Sequence, residues 1–188
     1  DELIFSPTNR SARVKTIEHW GRGAAPLSVP AGRPVGFTLD EQIFAERGDV
    51  ATHRTDQPIL AHEMKARIFW LGHQPLEVGQ HLKAKLATDE ADVRIEAITT
   101  VVDTDTLDGR PAAQVERNQV AEVMLRSREL LAVDDHRQHP STGRIVLVDG
   151  FDTVGGGILL TDGMVDHRTH GTVKATNIYA VDHLLTPE

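Results

Sequence analysis

Between Thr142 and Leu160 the chain reads TGRIVLVDGFDTVGGGILL, and three consecutive glycines inside an apolar, β-branched run leave few folds open. Ile145 and Leu147, then Val154, Ile158 and Leu159, call for a core. Gly155, Gly156 and Gly157 present no side chain, which suits a strand where another backbone comes close or where the strand bulges. Two such runs flanking a turn predict a hairpin that closes a barrel.

Short alternating segments extend this reading to the rest of the chain. Leu3–Phe5 and Arg13–Ile17 flank the turn-rich Ser6–Ser11 and predict a second hairpin. Pro26–Pro34 is too proline-rich for a central strand, and Val35–Leu39 follows it as a strand. Gly32 and Gly48 supply turns that need positive φ, with Arg47–Val50 turning into a last short strand. A boundary falls near Thr55–Pro58. Beyond it, Glu63–Leu71 sets Lys65 and Arg67 against Met64, Ala66, Ile68 and Trp70, the period of two of a half-buried strand. Pro75–Gly79 reads as a turn, and Gln80–Leu86 and Val93–Val102 as strands. Gln114–Leu131 has features of both a helix face and a strand. It is assigned as strand, because its neighbours are strands spaced 8 to 12 residues apart, as in a barrel or sandwich. From Thr161 onward the chain is polar and weakly patterned, as a linker would be.

Composition narrows the function classes. At 188 residues the chain can bury roughly 70% of its unfolded surface, enough for one substantial domain or two small ones. It has no cysteine, which removes disulfides and thiolate metal sites and makes the cytoplasm the expected compartment. No apolar run approaches the roughly 20 residues of a membrane span, and the polar start Asp1-Glu2-Leu3 is unlike a signal peptide. Twenty Lys and Arg stand against 28 Asp and Glu, a net charge of −8. Phosphate backbones reward clustered positive charge, so nucleic acid and membrane are not expected partners.

Candidate sites are few. Asp135-His136-Arg137-Gln138-His139 and Asp166-His167-Arg168-Thr169-His170 share the pattern D-H-R-x-H. Paired histidines beside an aspartate could chelate zinc if the segments met, whereas polar, loop-like surroundings read more simply as surface histidines. Asp103–Gly109 glances at a calcium loop but carries Leu107 at the fifth position and Gln114 at the twelfth. No nucleophile elbow or triad is marked. No catalytic, cofactor-binding or metal-ligating residue is therefore assigned. The interface candidates are Trp20, beside Gly21 and Gly23 in a loop, and Arg67 and Arg144, which project opposite their apolar neighbours and are available to another domain or to water. Trp70, in an alternating strand, is read as core.

Several motifs carry a family resemblance. Thr153-Val154-Gly155-Gly156-Gly157 resembles the Thr-Val-Gly-x-Gly strand in the last hairpin of the third domain of elongation factor Tu-like GTPases. Ala31-Gly32-Arg33-Pro34-Val35-Gly36, then Glu46–Val50, is similar to the end of their second domain, where a helix-like excursion lies between strand and turn. Within that superfamily, Thr38–Ile43 leading to Arg47–Val50, Phe69-Trp70-Leu71 with Gln74-Pro75-Leu76 and Gly79, and Ser141–Asp149 resemble the large-subunit family of bacterial sulfate adenylyltransferases, over about residues 1 to 160. Ala175–Tyr179 and Leu185–Glu188 are similar to the segment before the phosphate-binding loop of adenylylsulfate kinases.

The resemblance implies an all-β chain: a truncated second-domain barrel at 1–56, a third-domain antiparallel barrel of six-stranded type at 59–160, and, at 161–188, a linker with the start of a kinase domain. It implies a non-catalytic piece of a protein that uses GTP, ATP and Mg²⁺ to make adenylylsulfate from ATP and sulfate. Its partners would be a GTPase domain of the same chain, a small catalytic subunit and a fused kinase. The pattern G-x-x-x-x-G-K-[ST] is absent from this sequence, and Asp152-Thr153-Val154-Gly155, which fits D-x-x-G, sits in the barrel strand and carries no switch role. Two other classes stay open: a translation-factor fragment that holds aminoacyl-tRNA, disfavoured by the charge, and a freestanding module with a histidine metal site.

Overall fold

The structure, a computed structural model, describes residues 1–18, 26–102 and 108–170. Strands β1 (Glu2–Ser6), β2 (Arg10–Glu18), β3 (Gly36–Leu39) and β4 (Val50–Thr52) form an antiparallel sheet in the order β3-β2-β1-β4. The turn from β1 to β2 is made by Pro7, Thr8 and Asn9, with Asn9 at φ 57°, a conformation asparagine tolerates better than most residues. Gly32 and Gly48 have φ of 81° and 107°, as their turns require. The segment from Asp40 to Glu46 contains no helix, unlike the excursion expected from the resemblance. Asp40 is instead tied to β2, accepting from the Arg13 N–H at 2.7 Å.

The remaining strands are β5 (Ile59–Trp70), β6 (Leu76–Glu77), β7 (His81–Leu86), β8 (Asp89–Val102), β9 (Gly109–Arg110), β10 (Gln114–Val115), β11 (Val120–Val133), β12 (Arg144–Asp149) and β13 (Asp152–Leu160). Six of them run in the order β11-β5-β13-β12-β7-β8, and β8 pairs back onto β11, so the sheet closes into an antiparallel barrel. Alternation along each strand sends one face inward. Met64, Ala66, Ile68 and Trp70 of β5, Val93 and Ile95 of β8, Val123 and Leu125 of β11, and Ile145 and Leu147 of β12 are all buried in one core. Gln114–Leu131 is thus strand, interrupted after Val115. Leu76 and Glu77, read from sequence as part of a turn, pair with β10 and bury Leu76.

The glycines do two different things. A Cβ at Gly157 would lie 2.1 Å from the Arg67 carbonyl oxygen and 2.8 Å from the Ile68 Cα, so only glycine lets β13 approach β5 here. Gly155 lies against the Trp70 ring, where a Cβ would meet ring carbon at 3.2 Å. The register between β12 and β13 slips between Leu147 and Val148, the bulge that the glycine run anticipated. Trp70 is 1% exposed and its Nε1–H donates to the Gln74 carbonyl at 2.9 Å, so its only polar atom is satisfied inside the core.

Past β13 the chain packs back onto the barrel. The Thr161 N–H and hydroxyl both donate to Asp135, at 3.0 Å each, and Asp162 pairs with Arg137 at 2.8 Å. A short 3₁₀ turn at His167–His170 follows, and Asp166 accepts from the Leu60 N–H at 3.2 Å. Local polarity hid this packing, because the partners are the Asp135 and Arg137 side chains, 26 and 25 positions back, and the Leu60 backbone, 106 positions back. The described stretch from Thr161 to Arg168 is a strap fixed to the barrel, and residues from 171 onward lie outside the described range.

Candidate interface on the barrel

Strand register decides which side chains meet on the outside of the barrel. Ile158 of β13 is paired with Arg67 of β5 on one side and Arg144 of β12 on the other. Two candidates that lie 77 positions apart in sequence therefore flank one exposed-face isoleucine. One pleat further along, Gly156 is paired with Phe69 of β5 and Val146 of β12, and Val120 of β11 stands opposite Phe69. Phe69 and Val146 are 39% and 38% exposed. The apolar row Val120-Phe69-Gly156-Val146 runs across four strands, and the glycine makes a gap in it. Sequence reading found the arginines but missed this row, because neighbours across strands are invisible until the register is known.

The charges around the row are mostly committed. Arg67 donates twice to Glu122 of β11, at 2.5 and 3.2 Å, and Lys65 reaches the other oxygen of the same carboxylate at 3.4 Å. The hydrogen bond from Arg67 holds the Glu122 carboxyl below its ordinary range, against the opposing effect of its partial burial. Lys85 and Lys83 of β7 pair with Glu90 and Asp92 of β8 at 2.9 and 3.6 Å. Among the described cations on β5, β13, β12 and β7, Arg144 is the one with no carboxylate partner. Trp20 lies outside the described residues.

The two D-H-R-x-H segments share a local geometry. Asp135 accepts the backbone N–H of Arg137 at 2.8 Å, and Asp166 accepts that of Arg168 at 3.0 Å. In each case the arginine side chain returns to its own aspartate, at 2.7 and 3.6 Å. Both clips also reach the chain as it enters β5: His139 contacts Asp56 at 3.2 Å, and Arg168 donates to Gln57 Oε1 and to the Pro58 carbonyl. Asp135 is buried rather than on a solvated surface. Side-chain hydrogen bonds from Arg137 hold its carboxyl far below the usual carboxylate range in spite of burial, and donors from Thr161 and the Arg137 backbone add to the effect.

Among the described residues, no three His, Cys, Asp or Glu side chains come together to hold a metal ion. His62 and His167 meet edge to face with ring centroids 5.2 Å apart, on an open cleft whose lining mixes both signs of charge, including Lys83, Arg94, Asp92 and Asp162. Residues 103–107 of the calcium-like stretch lie outside the described range. Asp152–Gly155 is antiparallel strand with Gly155 packed on an indole, so it does not form a Mg²⁺-linked nucleotide switch.

The model of the GTP-eEF1A C-terminal domain-like family matches residues 63–160, more than half of the chain and all of the barrel but the start of β5. The chain belongs to the GTP-eEF1A C-terminal domain-like family. It carries a further sheet, β1 to β4, ahead of that domain. The sulfate adenylyltransferase subunit 1 of Laribacter hongkongensis is 30% identical over 162 residues, 85% of this chain and 33% of that protein. That of Shewanella oneidensis is 30% identical over 154 residues, and the bifunctional enzyme NodQ of Rhizobium sp. is 25% identical over 181 residues, 95% of this chain and 26% of NodQ. This chain therefore spans about a third or less of the length of these curated relatives. The solved structure of Sup35 complexed with GMPPNP shares the fold, with a TM-score of 0.72 at 18% identity over 85% of this chain and 40% of that one. No helix among the described residues is long and apolar enough to cross a membrane.

Proposed function

We propose that this family member is the barrel portion of a sulfate adenylyltransferase large subunit, a scaffold that carries no chemistry of its own. One observation supports this reading above the others. The match to subunit 1 of that enzyme covers 85% of the chain, whereas the barrel from Ile59 to Leu160 accounts for little more than half, so the similarity runs through both sheets in order. The fold alone extends as far in Sup35, at 18% identity, so it is the 30% identity to subunit 1 carried over this span that supports the reading. The whole protein would couple GTP hydrolysis to the formation of adenylylsulfate from ATP and sulfate in the cytoplasm. GTP and Mg²⁺ would be held by a nucleotide domain of the same polypeptide, and ATP by a small catalytic subunit. The barrel would give the nucleotide-dependent switch a rigid surface to dock against. The match to the bifunctional enzyme NodQ is the observation behind a fused adenylylsulfate kinase joined through residues 161–188, although a subunit 1 from Sulfurovum sp. covers 93% of the chain as well.

The test is to express the complete gene with the small subunit and measure GTP-dependent adenylylsulfate formation. Activity in the pair, with no GTP hydrolysis by residues 1–188 alone, supports the proposal. A polypeptide that binds aminoacyl-tRNA in a salt-sensitive way and makes no adenylylsulfate would overturn it in favour of a translation factor.

A further inference from the structure

We propose that His62 and His167 form a two-imidazole seat for a divalent ion of the zinc, nickel and copper class, and that the bound ion staples the strap after β13 to the first strand of the barrel.

Strand register brings the first ligand into place. β5 and β11 fall out of step between Arg126 and Leu131, so the intervening stretch of β11 bulges opposite His62. The bulge sets the Glu129 carbonyl oxygen 3.1 Å from His62 Nδ1. A carbonyl oxygen only accepts, so Nδ1 carries the proton and the neutral ring keeps its lone pair on Nε2. A backbone carbonyl that fixes the tautomer and orientation of the ring in this way is the support that metal-binding histidines have behind them. Bulges are found often beside functional sites because they re-aim a side chain.

The strap supplies the second ligand. Asp166 accepts from the Leu60 N–H at 3.2 Å and Arg168 donates to the Pro58 carbonyl, so the residue between them is pinned on both sides against the start of β5. That residue is His167. Its ring meets that of His62 at a centroid distance of 5.2 Å and an interplanar angle of 72°. Two imidazoles on one tetrahedral ion, with metal–nitrogen bonds of about 2.0–2.1 Å, have their centroids about 5 Å apart, so this spacing already suits a shared ion. Both rings are half-buried and line an open cleft, which gives an ion a way in and leaves its other positions to water. The second D-H-R-x-H segment thus finds an imidazole partner on β5.

Chemistry selects the ion. Imidazole nitrogens suit zinc, nickel and copper, whereas magnesium and calcium take oxygen ligands. Positive charge on the cleft is offset, since Lys83 pairs with Asp92 at 3.6 Å and Arg126 with Glu63 at 3.5 Å. Arg128 and Glu129, adjacent on the bulge, balance each other in charge.

The test is protection of the untagged complete gene product by zinc against diethyl pyrocarbonate, which carbethoxylates a free imidazole nitrogen, with each histidine read by peptide mass spectrometry. At zinc about ten times above the dissociation constant, labelling of His62 and His167 should slow together by about tenfold. His53 and His81, both exposed, should keep their rates, and magnesium should protect neither member of the pair. His62→Ala should abolish the protection of His167, and His167→Ala that of His62, with circular dichroism unchanged. No protection at millimolar zinc would overturn the proposal. So would protection of His167 that survives His62→Ala, or protection spread evenly over His53 and His81 as well. The comparison of these four histidines is made within the parent protein, so it decides the matter even where a variant fails to fold.

Discussion

The two sheets are built from the same alternating pattern and end with different cores. In the barrel the inward faces of six strands meet one another and bury Trp70, Met64, Ile95, Leu125 and Leu147 almost completely. In the first sheet, Ile4, Phe5 and Ala12 are the buried apolar residues, and Val35, just ahead of β3, remains exposed. Strand β3 has only β2 as a partner, and β4 only β1, among the described residues. Alternation writes a half-buried strand; closure decides whether that half faces a core. The barrel should accordingly carry most of the stability and the first sheet little.

The strongest way to break this contrast is at Gly157. Replacing it with alanine drives a methyl group into the β5 backbone, and the expected loss exceeds about 4 kcal/mol, seen as failure to give a cooperative thermal transition. Trp70→Ala should follow at about 3–5 kcal/mol by urea denaturation, from a buried indole that leaves a cavity. Asp135→Asn comes next, at about 2–3 kcal/mol near neutral pH, since it removes the charge that binds Arg137 to Thr161. Arg137 is itself largely exposed, so water screens its share, and much of the loss comes from the donors of Thr161. Folding depresses the Asp135 carboxyl, so its contribution is complete above the ordinary value of 3.8 and is lost as pH falls below that toward the folded-state value. Thermal melts should show a steeper acid decline in the parent than in Asp135→Asn. The smallest effect is expected from removing residues 1–54. The junction lost with them includes the exposed Arg47 bond to the Thr88 carbonyl at 3.2 Å, and the barrel transition should shift by about 1 kcal/mol or less. A collapse of that transition would show that the first sheet belongs to the same cooperative unit.

Much of the barrel was legible because its signals are local. Period-two alternation marked β5, β7, β8 and β11, and the triple glycine marked both the bulge and the close approach of β13 to β5. Gly32 and Gly48 announced positive φ through the turns around them. What escaped depends on long-range partners. The pair Leu76–Glu77 looked like a turn because two residues carry no periodicity. The packing of Thr161–Arg168 left no periodic trace, because its hydrogen bonds end on side chains and backbone groups well removed in sequence. The repeated D-H-R-x-H was visible as a repeat, yet its meaning lay in an aspartate accepting the N–H two residues on, a turn geometry that an Asp-x-Arg spacing could have suggested. On the outer face, Arg67 and Arg144 could be chosen one by one for their orientation. Their meeting across Ile158, and the apolar row beside it, required the register.

The double clip around Asp56–Leu60 gives the barrel a single doorway. The polypeptide goes in at β5 beside the place where it comes out after β13, held there by His139, Asp166 and Arg168. Modules attached upstream and downstream would hang from one pole, near enough to push on each other. A barrel tethered in this way can be spliced into a longer protein without forcing its neighbours apart.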